Sequence, residues 1–129
     1  MKNKNIPKVL VKRSKSGLGL FAVEPIKKGQ FIIEYVGEKV TTDEANRRGG
    51  LYLFELNSRW TMDGKSRKNV ARYINHSCCA NAESEIKGGK ILISAIKNIK
   101  EGEEITYDYG KEFFEEYIKP KGCRCTKHL

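Results

Sequence analysis

Residues 72–81 read Arg-Tyr-Ile-Asn-His-Ser-Cys-Cys-Ala-Asn, and residues 102–110 read Gly-Glu-Glu-Ile-Thr-Tyr-Asp-Tyr-Gly; these two stretches decide the fold. In the first stretch, Asn75 and His76 place an amide beside an imidazole, which together offer hydrogen-bond donors and acceptors to a ligand. A cap at a helix end is the alternative role for this pair. The sequence has no hydrolase triad pattern around either histidine, no GxxxxGK phosphate loop and no HExxH zinc motif.

The sequence around these stretches alternates short strand-like runs with turns. Gly88-Gly89 predicts a two-residue hairpin, and residues 25–29 and 98–102 predict two similar chain reversals. Runs rich in β-branched and aromatic residues predict strands at 9–13, 19–23, 31–36, 51–56, 60–62, 83–86, 91–96 and 105–107. We therefore expect a mainly β fold of short, mainly antiparallel strands with few short helices.

Helical signals are sparse. Thr42 is expected to cap a helix over 43–48, and Gly49-Gly50 to end it. Asn69 is expected to cap a turn that leads into the first motif. A third short helix is expected over 111–118, where aromatic residues are grouped.

Length and composition indicate one compact domain. The chain has 129 residues, of which 39% are hydrophobic and 32% are charged, as is typical of a globular protein without a separate catalytic lobe. The longest apolar runs are too short to span a bilayer, and the polar N-terminus lacks the apolar centre of a secretory signal. We expect an intracellular protein with no membrane partner.

The formal net charge of the chain is +9, and six basic residues precede the first acidic residue, Glu24. This asymmetry predicts that a basic N-terminal edge, residues 1–8, contacts nucleic acid or a nucleoprotein complex. A solvated terminus kept soluble by its charge is the alternative.

Four separated clusters of the sequence resemble the SET-domain family. The order and spacing of the clusters match the family from about residue 9 to residue 110. The sequence departs from the family pattern at two positions. Ala80 stands where the family usually has proline, and Lys68 stands where it often has glycine. The four clusters are 16–22 (SGLGLFA), 34–38 (EYVGE), 72–81 (RYINHSCCAN) and 102–110 (GEEITYDYG).

The resemblance implies a β-clip-like SET-domain fold over residues 1–110. It also implies a pseudoknot, in which residues 75–81 and 107–110 cross. Residues 111–129 resemble a shortened form of the family's cysteine-bearing post-SET tail and are expected to belong to the same compact unit.

The resemblance further implies a transferase that moves the methyl group of S-adenosylmethionine to a lysine side chain of a protein. Tyr109 matches the catalytic tyrosine, and Tyr52, Tyr73 and Tyr107 are expected to line an aromatic lysine channel. Tyr107 occupies the Phe/Tyr switch position, which favours mono- or dimethylation. The residues expected to contact the cofactor are Gly17, Leu18, Gly19, Leu20, Arg72, Asn75, His76 and Tyr109.

Each of these residues also has a simpler interpretation without the family. Gly17 and Gly19 allow a backbone to approach a ligand closely, but they also suit a hairpin. Each tyrosine also fits a half-buried core position with its hydroxyl at the surface.

The cysteines are adjacent or one residue apart, a spacing that favours metal ligation in a reducing compartment over a disulfide framework. Cys78, Cys123, Cys125 and His128 would form a Cys₃His set suited to one structural zinc ion. The family's usual third tail cysteine is missing, so His128 must take its place. The alternative is a flexible tail with free thiols.

The expected partner is a protein or peptide that carries the target lysine, such as a histone or another basic protein. The alternative function is a catalytically silent, basic SET-fold module that binds nucleic acid or a nucleoprotein complex. Homodimerisation stays open. The expected location is cytoplasmic for a prokaryotic protein, and nuclear or chromatin-associated for a eukaryotic, viral or host-directed one.

Overall fold

The computed structural model describes residues 8–14, 17–50 and 52–108. These residues form ten strands, an α-helix, α1 (Thr42–Arg48), and a 3-10 helix (Val70–Tyr73), which confirms the expectation of a mainly β fold. The strands are β1 (Val9–Ser14), β2 (Gly17–Ala22), β3 (Phe31–Tyr35), β4 (Glu38–Thr41), β5 (Leu53–Glu55), β6 (Trp60–Asp63), β7 (Asn75–His76), β8 (Ala82–Lys87), β9 (Lys90–Ala95) and β10 (Glu104–Tyr107).

The larger sheet has the strand order β1-β2-β10-β8-β9-β3, and β7 pairs with β10 off this path. Its pairs are antiparallel, except that β10 runs parallel to β7 and β8. Apolar side chains alternate along its strands, and those on the inner face form the core. Four core side chains in this sheet have no exposed surface: Leu20, Ile91, Ile93 and Ile105.

The smaller sheet has the antiparallel order β4-β6-β5, and α1 packs against it. Ala45 of the helix and Val40 of β4 are both buried. Arg48 at the end of the helix forms an ion pair with the buried carboxylate of Asp63, at 2.9 Å. The helix is therefore attached to the sheet by apolar contact at its centre and by charge at its C-terminal end.

The predicted hairpin and reversals are confirmed. Gly88 and Gly89 join β8 to β9 with φ angles of 59° and 78°, a backbone that glycine adopts readily. The two reversals lie side by side, because Ile26 and Ile99 form an isolated antiparallel bridge. The backbone N–H of Lys28 also donates to Asn98 Oδ1 at 2.9 Å.

The predicted helix caps need correction. The N-cap of α1 is Thr41, whose Oγ1 accepts from the backbone N–H of Glu44 at 3.1 Å, and Thr42 is the first helical residue. Gly49 ends the helix with a φ of 68°, as expected. Asn69 precedes the 3-10 helix but makes no side-chain cap, because its fully buried amide bonds to backbone groups elsewhere.

The predicted helix over 111–118 lies outside the described residues. Among the helices that the structure describes, none is long and apolar enough to cross a membrane.

Candidate active site

The glycine-containing start of β2 forms one wall of the site. Gly17 has a φ of 107°, and among the described residues no atom beyond its chain neighbours lies within 4 Å of the position of an added Cβ. Gly19 is different, because a Cβ there would collide with Glu104 Oε2 and lie 3.2 Å from Asn75 Nδ2. Leu18 is 50% exposed between them, whereas Leu20 is fully buried and belongs to the core. The glycines thus serve a positive φ at one position and close packing at the other.

Asn75 joins this wall to β10. As part of β7, it pairs in parallel register with Thr106. Its side-chain Nδ2 donates to the backbone oxygen of Leu18 at 3.0 Å and to Glu104 Oε2 at 2.7 Å. The oxygen Oγ of Ser14 lies 3.3 Å from the same nitrogen. The first sequence motif, the glycine segment and the last strand therefore meet at one amide group.

His76 is enclosed by its neighbours. Its side chain is 3% exposed, with Nε2 lying 3.4 Å from Cys78 Sγ. Its Nδ1 lies 3.7 Å from a carboxylate oxygen of Asp108. The predicted contact of His76 with the cofactor stays a prediction.

The segment that follows β7 is fastened to β10 along its length. The backbone N–H of Ser77 donates to the carbonyl of Tyr107 at 3.2 Å. The side chain of Asn81 donates to the carbonyl of Glu104 at 2.8 Å and accepts from the N–H of Thr106 at 2.9 Å. The expected meeting of residues 75–81 with the second motif is confirmed as far as Asp108, the last residue described.

Two buried tyrosines lie beside this junction. Tyr107 is 6% exposed, and its burial raises the pKa of its hydroxyl well above the ordinary value. Tyr35 is 4% exposed, and its hydroxyl donates to the carbonyl of Tyr52 at 2.8 Å. Burial, followed by the proximity of Tyr107, also raises the pKa of Tyr35. Both phenols are therefore neutral at physiological pH.

Tyr35 is a site residue that the sequence interpretation missed. It lies within the cluster 34–38, which resembles the family, but the sequence does not indicate a role for Tyr35 in the site. A signal was present, because a tyrosine at the end of a strand must find a partner for its hydroxyl when it is buried.

The guanidinium of Arg72 packs against the rings of Tyr52 and Tyr73, the other two tyrosines that are expected to line the lysine channel. Its guanidinium carbon lies 4.2 Å from the ring centroid of Tyr52 and 5.2 Å from that of Tyr73. The guanidinium also donates to the backbone oxygen of Lys65. Its Nε is buried and has no hydrogen-bond partner among the residues that the structure describes.

Most of the remaining predicted site residues lie outside the part of the chain that the structure describes. Tyr109, Cys123, Cys125 and His128 lie outside the described ranges. Cys78 is half-buried and Cys79 is exposed. Within residues 8–14, 17–50 and 52–108, no group of three or more His, Cys, Asp or Glu side chains is arranged to hold a metal ion. The predicted zinc site therefore stays a prediction.

Comparisons with known proteins agree with this geometry. Residues 17–110 match the SET domain family, so the chain belongs to that family. It is 37% identical over 121 residues to histone-lysine N-methyltransferase 2D of Homo sapiens, and the match covers 84% of this chain. It is 41% identical over 128 residues to histone-lysine N-methyltransferase trithorax of Drosophila melanogaster, with 88% of this chain covered. The chain spans only 2% and 3% of the lengths of these relatives.

Comparison with solved structures leads to the same family. A chain of polycomb repressive complex 2 from Chaetomium thermophilum superposes on 82% of this chain with a TM-score of 0.74 and 35% identity. The same complex with H3K27me3 and H3K27M covers 93% of this chain, with a TM-score of 0.77 and 33% identity. In each case the match covers 16% of the other chain. The SET-domain fold expected from the sequence is thus confirmed.

Proposed function

We propose that the protein transfers a methyl group from S-adenosylmethionine to a lysine side chain of another protein. The observation that carries this proposal is the convergence at Asn75 of the glycine segment of β2 and the strand that leads to Tyr109. Relatives named histone-lysine N-methyltransferases, which match most of the chain, support the same reaction.

The described residues fit the cofactor. S-adenosylmethionine carries an ammonium and a carboxylate at its methionine end, and it supplies the methyl group from a sulfonium. Asn75 Oδ1 accepts no hydrogen bond from the described part of the chain, so it is available to an ammonium. The unpartnered Nε of Arg72 is a donor suited to a carboxylate. The open space at Gly17 allows a ligand to approach the backbone.

The tyrosines are proposed to align the reacting groups rather than to form a covalent bond. Methyl transfer to an amine needs in-line geometry, exclusion of water and oxygen dipoles directed at the positive centre. A free lysine has a pKa of about 10.4, so the amine must lose its proton before it can react. An apolar aromatic channel favours the neutral amine by desolvation. Tyr109 is proposed to be the tyrosine nearest to the transferred methyl group.

The degree of methylation is part of the proposal. We propose that the neutral, buried hydroxyl of Tyr107 at the switch position holds a water molecule where an added methyl group would otherwise lie. We therefore expect mono- or dimethylation as the main product.

The substrate is proposed to be a histone or another basic protein, because the named relatives act on histone lysines. A histone substrate would place the protein on chromatin. The contact of residues 1–8 with nucleic acid and the formation of a homodimer stay predictions.

A structural zinc ion held by Cys78, Cys123, Cys125 and His128 is proposed as well. Four protein ligands leave no open position, so the ion would stabilise the tail and take no part in catalysis.

The test is methyl transfer from tritiated S-adenosylmethionine to recombinant histones and to a protein extract. Wild type should label lysines, and Tyr109→Phe should label far fewer at equal cofactor occupancy. If folded, cofactor-bound wild type labels no lysine in either substrate set, the proposed function is wrong.

A further inference from the structure

Glu104 lies at the crossing of the three elements that form the candidate cofactor site. It is the first residue of β10 and pairs with Phe21 of β2. Its Oε2 accepts from Asn75 Nδ2 at 2.7 Å. The same oxygen lies so close to Gly19 that a Cβ there would collide with it. Glu104 was not among the residues that the sequence indicated for the site.

The partners of Asn75 determine which way its amide faces. A side-chain amide has one end that donates and one that accepts. The backbone oxygen of Leu18 and the carboxylate of Glu104 can only accept, and both lie within 3.0 Å of Nδ2. The nitrogen must therefore face these two oxygens. Oδ1 is left on the opposite side, where it accepts no hydrogen bond from the described residues.

The neighbouring Glu103 has a different environment. It is exposed, and its Oε1 accepts from the backbone N–H of Lys100 at 2.8 Å within the reversal. The two glutamates have the same charge and are adjacent in sequence, but only Glu104 contacts Asn75. Glu103 is therefore a matched control for the position of Glu104.

We propose that Glu104 is a positioning residue that fixes the Asn75 amide so that Oδ1 faces the ammonium group of the bound cofactor. This inference rests on the proposed function, because it assumes that S-adenosylmethionine binds beside Asn75. Glu104 acts through Asn75 and does not itself touch the cofactor. A glutamine at this position has an amide that can donate or accept, so the Asn75 amide would lose one of the two acceptors that fix its orientation.

The experiment compares two ligands by calorimetric titration. S-adenosylmethionine has the methionine end, whereas 5′-methylthioadenosine lacks the amino-acid group. Glu104→Gln should weaken S-adenosylmethionine binding about tenfold, the size of one lost charge-assisted hydrogen bond. It should leave 5′-methylthioadenosine binding and kcat at saturating cofactor nearly unchanged. Glu103→Gln should leave all three quantities unchanged.

Glu104→Asp gives a second variant that keeps the carboxylate charge. Its side chain is shorter by one methylene group, so the carboxylate should no longer reach Asn75 Nδ2. The same selective loss of S-adenosylmethionine affinity is expected. This variant also tests the positioning role if Glu104→Gln does not fold.

The two proposals fail in different ways. If wild type binds no S-adenosylmethionine, the proposed function fails and Glu104 has no cofactor to position. If wild type binds it and Glu104→Gln equals Glu103→Gln, only the positioning role is overturned. Equal losses for both ligands in Glu104→Gln would also overturn it, because they would show a general structural role.

Discussion

Tyr107 is the described residue whose surroundings bear most directly on the reaction product. It is almost fully buried, and burial raises the pKa of its hydroxyl, so the group is neutral across the working pH range. Its backbone is fixed by the N–H of Ser77, and it pairs in register with His76. Burial and these backbone contacts restrict the side chain, as expected for a residue that is proposed to set the degree of methylation.

Tyr107→Phe should raise the degree of methylation, because removal of the hydroxyl leaves room for a further methyl group on the substrate lysine. The measurement is mass spectrometry of a peptide product at long reaction times. Trp60→Phe, which alters an aromatic residue of β6 outside the predicted channel, is the control and should leave the product distribution unchanged. Identical distributions for wild type and Tyr107→Phe would contradict the assignment of the switch.

At the scale of the elements, local patterns predicted most strands but missed two. The missed β4 has two charged residues among its four, and β7 consists only of Asn75 and His76, so neither resembles a strand by composition. Both strands exist because distant strands pair with them: β6 pairs with β4, and β10 pairs with β7. Such partners do not appear in a local window of sequence. The cap at Thr41 was missed for a similar reason, because Thr42 also has a suitable hydroxyl but uses it on Thr61.

The hairpin between β8 and β9 gives a prediction at this scale. Positive φ at both turn residues favours glycine and tolerates asparagine at the first position. Gly88→Asn should change the free energy of unfolding by no more than about 0.5 kcal/mol. Gly88→Val should lower it by about 1–2 kcal/mol, the cost of placing a side chain in the left-handed region. Urea unfolding measures both, and equal stabilities of the two variants would show that the turn has another conformation.

At the scale of the whole molecule, a few buried polar groups hold the two sheets and the site together. Asn69 reaches from the start of the 3-10 helix to the N–H of Val36 and the carbonyl of Gly64, at 3.0 Å each. Asn81 and Asn75 fasten the segment after that helix to β10. Asn75 and Asn81 lie within the first motif and Asn69 lies just before it, but the sequence does not indicate their partners, because most of the contacts span dozens of residues. We propose that the attachment of the tail, 111–129, depends on the zinc ion.

Removal of zinc should release this tail. A purified protein should contain one zinc ion per chain by elemental mass spectrometry, and a chelator should lower both the melting temperature and the affinity for substrate. Cys123→Ser should have the same two effects. Cys79→Ser is the control, because Cys79 is exposed and outside the proposed ligand set. A zinc-free protein with full activity would show that the site does not exist.

The most direct test of the central claim is to map the binding of S-adenosylmethionine by nuclear magnetic resonance, for which a chain of 14.7 kDa is well suited. The account predicts that the largest shifts of backbone amide signals occur at Gly17, Gly19 and Asn75. Shifts confined to the smaller sheet, or the absence of any shift in a folded protein, would contradict it.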